Sequence, residues 1–144
     1  MSAIVTLAIE GPRKRRLEGA ALLNGGFSSK APSLLLPRAA ALTLFSEYPA
    51  GTRPMGATTA GGRVSLRVAA ETAWVHVVTQ DRNGPRVRFQ VVVSEEEDEI
   101  LVSDYGIDAL GVKIERQGEG LWRFADEERT RPSVPRKRWT ARGE

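Results

Sequence analysis

Apolar side chains in this sequence recur at a period of two, in short pieces. Val5, Leu7 and Ile9 alternate within residues 3–9, Val64, Leu66 and Val68 within 63–68, and Val87, Phe89, Val91 and Val93 within 87–93. That period places alternate residues on one face of an extended chain, so each piece reads as a half-buried strand. Residues 17–23, 33–36, 73–79, 100–102, 112–114 and 121–124 are further short apolar or β-branched pieces. Turn formers separate them: Gly11-Pro12 with the basic residues Arg13 to Arg16 at a hairpin tip, Asp81-Arg82-Asn83-Gly84-Pro85, and Gly118 to Gly120. Residues 46–62, rich in Gly, Pro and Thr, read as loop. One short helix is expected from Pro37, rich in Ala and Leu, with the proline in its first turn where no N–H is needed. A second is expected over Asp104 to Leu110, with Asp104 near its N-terminus and Gly111 as its stop. Many short strands and hairpin turns with two short helices predict a mostly β fold, a small barrel.

With 144 residues, 41% of them hydrophobic and 27% charged, the chain is long enough for one domain with a real core. No apolar run approaches the roughly 18 residues that span a bilayer, so no membrane partner is expected. The first residues, MSAIVTLAIE, alternate and carry neither a basic leader nor a cleavage site, so no signal peptide is expected. The absence of cysteine excludes a disulfide framework and a thiolate metal site, which points to the cytoplasm. The net charge of +3 is uneven: residues 129–144 hold six Arg or Lys against one Glu, and the remainder holds 15 basic against 17 acidic residues. The chain therefore divides into a body, 1–127, and a basic C-terminal arm or tail, 128–144. Pro132, Pro135 and the lack of periodicity leave the latter either disordered or an extended arm laid on something, and Trp139 favours the arm, since an aromatic ring gains much by burial.

Between two strand-like pieces lies Ala21-Leu22-Leu23-Asn24-Gly25-Gly26-Phe27-Ser28, followed by Leu34-Leu35-Leu36-Pro37 and the Ala/Leu helix. This layout resembles the catalytic loop of retropepsin-like aspartic proteases, where an apolar strand leads into Asp-Thr-Gly or Asp-Ser-Gly. Asn24 stands where the family has Asp, and Gly25 where it has Thr or Ser. Ala57-Thr58-Thr59-Ala60-Gly61-Gly62 sits where the glycine-rich flap would be. Ile100-Leu101-Val102-Ser103-Asp104 through Ala109-Leu110-Gly111-Val112 is similar to the family's late buried strand, helix and Leu-Gly stop. Gly120-Leu121-Trp122-Arg123-Phe124 looks like the closing strand of the archaeal and bacterial single-domain members. The resemblance covers residues 3–125.

That resemblance implies a small closed retropepsin-like (acid protease) β-barrel working as a homodimer, each copy supplying one carboxylate. Such a pair shares one proton, one carboxyl acting as base towards water and the other as acid towards the substrate carbonyl. The hydroxyl beside each Asp braces the loop across the dimer, and the following Gly lets the two loops approach. The amide of Asn24 does not titrate and Gly25 brings no hydroxyl, so the base and its brace are both missing. An engineered Asp-to-Asn knock-out would account for position 24 but not for Gly25. The implied function is a catalytically inactive homodimeric domain that binds an extended peptide or protein segment in a vestigial groove. Asn24, Gly25 and Gly26 would form its floor at the catalytic position, and Phe27, Thr58, Thr59, Ala60 and Gly61 would bind the ligand. No cofactor and no metal is implied. The 126–144 arm is expected to help tie the dimer, with its basic residues meeting the acidic run Glu95 to Glu99 of the partner or of its own chain.

Two alternatives differ in class. One is an aspartic-type peptidase with an altered dyad, for which Asp104 and Asp108, four apart on one helix face, are the nearest carboxylates. A helix cap and a solvated side chain explain these two more simply. The other is a nucleic-acid-binding barrel using Arg13 to Arg16 and Arg136-Lys137-Arg138. A near-neutral body and only 6% aromatic residues disfavour it, because stacking platforms need rings. His76 is the single histidine and reads as structural, Ser28 and Ser29 have no histidine nearby to activate them, and the acidic run reads as solvated.

Overall fold

The structure, a computed structural model, describes residues 2–23, 27–59 and 62–139. β1 (Ala3–Glu10) turns through Gly11 and a 3-10 turn (Pro12–Lys14) into β2 (Arg16–Leu23). The two pair antiparallel, from Ala3 opposite Leu23 to Glu10 opposite Arg16. β3 (Ser33–Pro37) runs straight into α1 (Arg38–Leu44); Pro37 ends the strand and caps the helix, one step before the first-turn position expected of it. β4 (Thr52–Thr59), β5 (Gly62–Ala69), β6 (Ala73–Val78), β7 (Val87–Ser94) and β8 (Ile100–Val102) follow. Then come α2 (Asp104–Ala109) and a two-stranded hairpin of β9 (Val112–Arg116) and β10 (Leu121–Phe124). No helix among the described residues is long and apolar enough to cross a membrane.

The strands pair in the order β3–β8–β2–β1–β6–β7, and β7 pairs back onto β3, closing a six-stranded barrel. The expected mostly β barrel with two short helices is the observed fold. Its lining comes from the period-two residues. Val5, Leu7, Ile9, Phe89, Val91 and Val93 are all buried in one core. Full burial of each such side chain contributes about 1.5–3 kcal/mol.

β8 lies between β2 and β3, parallel to β2 and antiparallel to β3. The connection from β2 to β3 must therefore pass over the end of β8, where α2 begins. This crossing positions the candidate site.

Two expectations are corrected. Residues 46–62 are not all loop, because Thr52–Thr59 forms β4 and pairs with β5 along its whole length, from Thr52 opposite Ala69 to Thr59 opposite Gly62. Thr-Arg-Pro-Met-Gly has little strand propensity of its own, and the pairing supplied by β5 overrides it. An outermost strand also tolerates Pro54, whose missing donor can face away from the sheet. The second correction concerns Val64 and Leu66. Their alternation is real, but they turn away from the barrel core and join a second apolar cluster on its outer face.

Beyond β10 the chain continues as an extended arm laid on its own body. Arg131 and Trp122 exchange main-chain hydrogen bonds of 2.6 and 3.0 Å. The charge pairing expected between arm and acidic run is made within one chain: Arg136 donates to Glu99 (2.5 and 3.1 Å) and Arg138 to Asp98 (2.9 Å).

Candidate functional site

At the end of β8 the backbone turns into α2, and Ser103 caps that helix. Its Oγ accepts from the N–H of Gly106 (3.1 Å) and from the N–H of Ser33 (2.9 Å), while its own N–H donates to the Ser33 carbonyl (3.0 Å). One buried hydroxyl thus joins the start of β3 to the start of α2. Ser103, and not the neighbouring Asp104, is the cap.

Asp104 is turned to the crossing loop. Its N–H donates to the Phe27 carbonyl (3.1 Å), and its carboxylate accepts from Ser28 Oγ (3.1 Å). Ser33 Oγ lies 3.0 Å from both Ser29 Oγ and the Ala31 carbonyl. The loop that leaves β2 after Leu23 is therefore pinned, from Phe27 onward, to the N-terminus of α2. Ser28 and Ser29, set aside as nucleophiles for want of a base, serve as loop hydrogen-bonding groups.

Beside this anchor lies the second apolar cluster. Leu35 of β3, Leu66 of β5, Val92 of β7 and Leu101 of β8 are buried in it, with Leu22, Phe27 and Val64 packed against them in part. These side chains point outward from the barrel, away from the core that holds Leu34, Leu36, Val91, Val93, Ile100 and Val102. The cluster lies between the crossing loop, represented by Phe27, and the β4–β5 hairpin, represented by Val64 and Leu66. Sequence reading overlooked it, although a signal was there. Leu34-Leu35-Leu36, Val91-Val92-Val93 and Ile100-Leu101-Val102 are unbroken apolar runs, and an unbroken run means a strand covered on both faces.

Among the residues singled out from the sequence, Asn24, Gly25, Gly26, Ala60 and Gly61 lie outside the described residues. Thr58 and Thr59 end β4, at the turn of the hairpin. Phe27 is half-buried against the cluster. The structure therefore brings Phe27 and the hairpin to one place. Asp108 is exposed, apart from the crossing-loop bonds of Asp104. His76 sits on β6 opposite Ala8 and is half-buried; it is not part of the cluster.

The acidic run is engaged rather than free. Tyr48 Oη donates to Glu95 (2.6 Å), and burial with that hydrogen bond pushes the Tyr48 phenol up to about 12. Arg38 adds an ion pair to Glu95 at 3.4 Å. Burial raises the Glu97 carboxyl, with Asp98 and Glu99 adding to the rise. Among the described residues no group of three His, Cys, Asp or Glu side chains is placed to hold a metal ion.

Among the described residues the basic tail is likewise paired: Arg129 and Arg131 with Asp81, Arg131 also with Glu127, Arg136 with Glu99, Arg138 with Asp98, and the Lys137 ammonium 4.4 Å over the Trp139 ring. No protein-family model matches the sequence, and no curated protein matches it.

Proposed function

We propose that this chain is a non-hydrolysing member of the retropepsin-like type, which binds an extended peptide or protein segment as a homodimer. The observation that carries the reading is the outward apolar cluster of Leu35, Leu66, Val92 and Leu101, lying between the crossing loop and the β4–β5 hairpin. An extended segment laid there would set alternate apolar side chains against Leu22, Phe27 and Val64, the partly exposed rim of the cluster. β4, the outermost strand of the sheet, offers main-chain groups to a chain running beside it. Asn24, two residues beyond Leu22 of the same cluster, would offer a neutral amide at the floor. That amide can hydrogen-bond to a peptide but cannot take a proton from water. The barrel presents this wall once, so a second copy would complete the groove.

The test is binding of a randomised extended-peptide library, read by fluorescence anisotropy, beside the variants Phe27→Arg and Val64→Arg, at the half-buried rim of the cluster. Each variant places a charge on the rim and should weaken binding at least tenfold, while Arg13→Ala, on the β1–β2 turn, should leave it unchanged. Selected peptides that bind both variants as well as the native chain would overturn the assignment of the groove. Cleavage of peptides by the native chain would replace it with the altered-dyad peptidase.

A further inference from the structure

The inward residues of β1 and β6 are buried, Leu7 and Ile9 on one strand and Val75 and Val77 on the other. Their outward neighbours Ala8, Glu10, Trp74 and His76 are only half-buried, so this side of the sheet is open. The register sets the outward residues in rows. Arg16, Glu10, Trp74 and Arg88 lie side by side across β2, β1, β6 and β7, and Glu18, Ala8 and His76 form the next row. The small Ala8 between larger neighbours leaves a hollow of about 280 Å³, walled by Arg16, Trp74, His76 and Arg86.

The Trp74 ring sits among cations. The guanidinium carbons of Arg86 and Arg88 lie 4.3 and 4.7 Å from its centroid. Arg16 ends the row on β2, and the basic track runs off the sheet into the β1–β2 turn, where Arg13 and Lys14 are exposed. Both turn residues are left-handed, at φ 57° and 61°, a conformation that Gly or Asn holds at lower cost. Glu10 meets Arg86 at 2.7 Å and Arg16 at 4.0 Å, whereas Arg13, Lys14 and Arg88 make no ion pair among the described residues. Averaged over the chain, charge and aromatic content disfavour a nucleic-acid partner, but the fold gathers both in one place. The tail cations Arg136 and Arg138, by contrast, are engaged by Glu99 and Asp98.

We propose that this outer face of β2, β1 and β6 binds a single-stranded nucleic acid, with one base against Trp74 in the hollow and phosphates along Arg88, Arg86, Arg16, Lys14 and Arg13. The occupant is identified by the alternation of ring and charge. A lipid surface needs a ring that projects, whereas Trp74 is half-buried beside a hollow. An acidic peptide matches the cations but brings no regular planar group for the ring. A duplex matches the cations but keeps its bases stacked inside. A single strand supplies phosphates with an unstacked base between them. The guanidinium groups over Trp74 do not bar it, since arginine both stacks on planar rings and takes phosphate. The face lies at the Arg16 end of β2, whereas the crossing loop leaves the other end after Leu23, about 23 Å away along the strand. Nucleic acid and peptide therefore have separate sites.

The full-length chain is titrated into fluorescein-labelled oligouridylate or oligothymidylate of about ten nucleotides and followed by anisotropy. Saturable binding of either strand is expected, weakening as salt rises from about 50 to 200 mM. Arg86→Gln with Arg88→Gln removes two phosphate partners and should lower the slope of log K against log salt by about 1.4. Trp74→Leu should weaken binding about 5- to 150-fold with the slope kept, and Trp74→Tyr, which retains a ring, should recover most of it. Arg86 and Arg88 are exposed, so their slope decides the matter if Trp74→Leu fails to fold. Phe27→Arg, at the peptide groove, should leave oligonucleotide binding unchanged, so failure of one site is told from failure of the other. Absence of saturable binding at the lowest salt overturns the proposal. So does a folded Trp74→Leu chain that binds as the native one does, or a duplex or heparin bound as tightly as the single strand, since a surface that reads charge alone has no use for the ring.

Discussion

A single hydrogen atom on Gly106 sets how closely α2 sits on the barrel. A Cβ there would lie 2.7 Å from Phe89 Cε2 and 2.9 Å from Val102 Cγ1, distances that real side chains do not hold. Both neighbours are fully buried, so neither can swing away. Gly106→Ala should therefore destabilise the fold by about 1–3 kcal/mol through overpacking, although alanine is the better helix former. Urea unfolding measures this, and Phe89→Leu in the same chain should return part of the loss. Tyr48 gives a second residue-scale prediction. Its phenol is pushed from 10.0 up to about 12, so the folded state holds that proton more tightly than the unfolded chain. The stability this contributes is complete below pH 10 and is lost as pH rises from 10 through about 12. Tyr48→Phe should remove that part of the alkaline fall in stability, as followed by circular dichroism at fixed urea.

Among the elements, the arm is fastened most firmly at Arg131. Its guanidinium donates to both oxygens of Asp81 (2.7 and 2.9 Å) and both of Glu127 (2.6 and 3.0 Å), and lies 5.2 Å from the Phe124 ring centroid. The hydrogen bonds from Arg131 hold Asp81 well below the usual carboxylate range and lower Glu127 from 4.5 to about 2. Depressed carboxyls stabilise the docked arm above their unfolded values, and that support fades as pH falls from about 4.5 through about 2. The Val134 amide should thus stay protected from hydrogen exchange at pH 4.5 and lose protection towards pH 2. In Arg131→Gln it should already exchange quickly at pH 4.5. The elements themselves were legible in the sequence wherever periodicity or a special backbone was required. The alternation of Val5, Leu7 and Ile9 marks β1, and Gly111, at φ +72°, ends α2 as its position suggested. β4 was not legible, since Thr52–Thr59 is a strand only because β5 lies beside it. The outward role of Leu35, Val92 and Leu101 was also hidden. An unbroken apolar run announces two covered faces but not what covers the second. Phe27 and the hairpin could be suspected at one site from the resemblance alone, whereas the bonds from Ser28 and Ser103 that hold the loop depend on contacts 70 or more residues apart.

The whole molecule is a closed ring that buries one face of its sheet and then builds a second apolar layer outside it. A barrel needs only the first layer to fold. The second gathers residues from β3, β5, β7 and β8 under a hairpin, next to the loop that ends β2. If that layer is the wall of a groove whose chemistry was lost at Asn24 and Gly25, restoring the two groups should restore the reaction. In Asn24→Asp with Gly25→Thr, two copies would bring two carboxyls together. Like charges so close cannot both ionise, so they would titrate as a pair and give one shared proton over an acid pH range. Peptide cleavage by this variant should show a bell-shaped dependence on acid pH. At low concentration its rate should rise with the square of protein concentration, because each site needs two chains. The native chain should show neither behaviour. Adding Phe27→Arg to the repaired variant should abolish cleavage with only a small loss of thermal stability, because Phe27 is half-buried at the rim of the outer layer, whereas a charge at the buried Leu101 would unsettle the layer itself. Cleavage that survives Phe27→Arg would place the bound peptide elsewhere on the molecule.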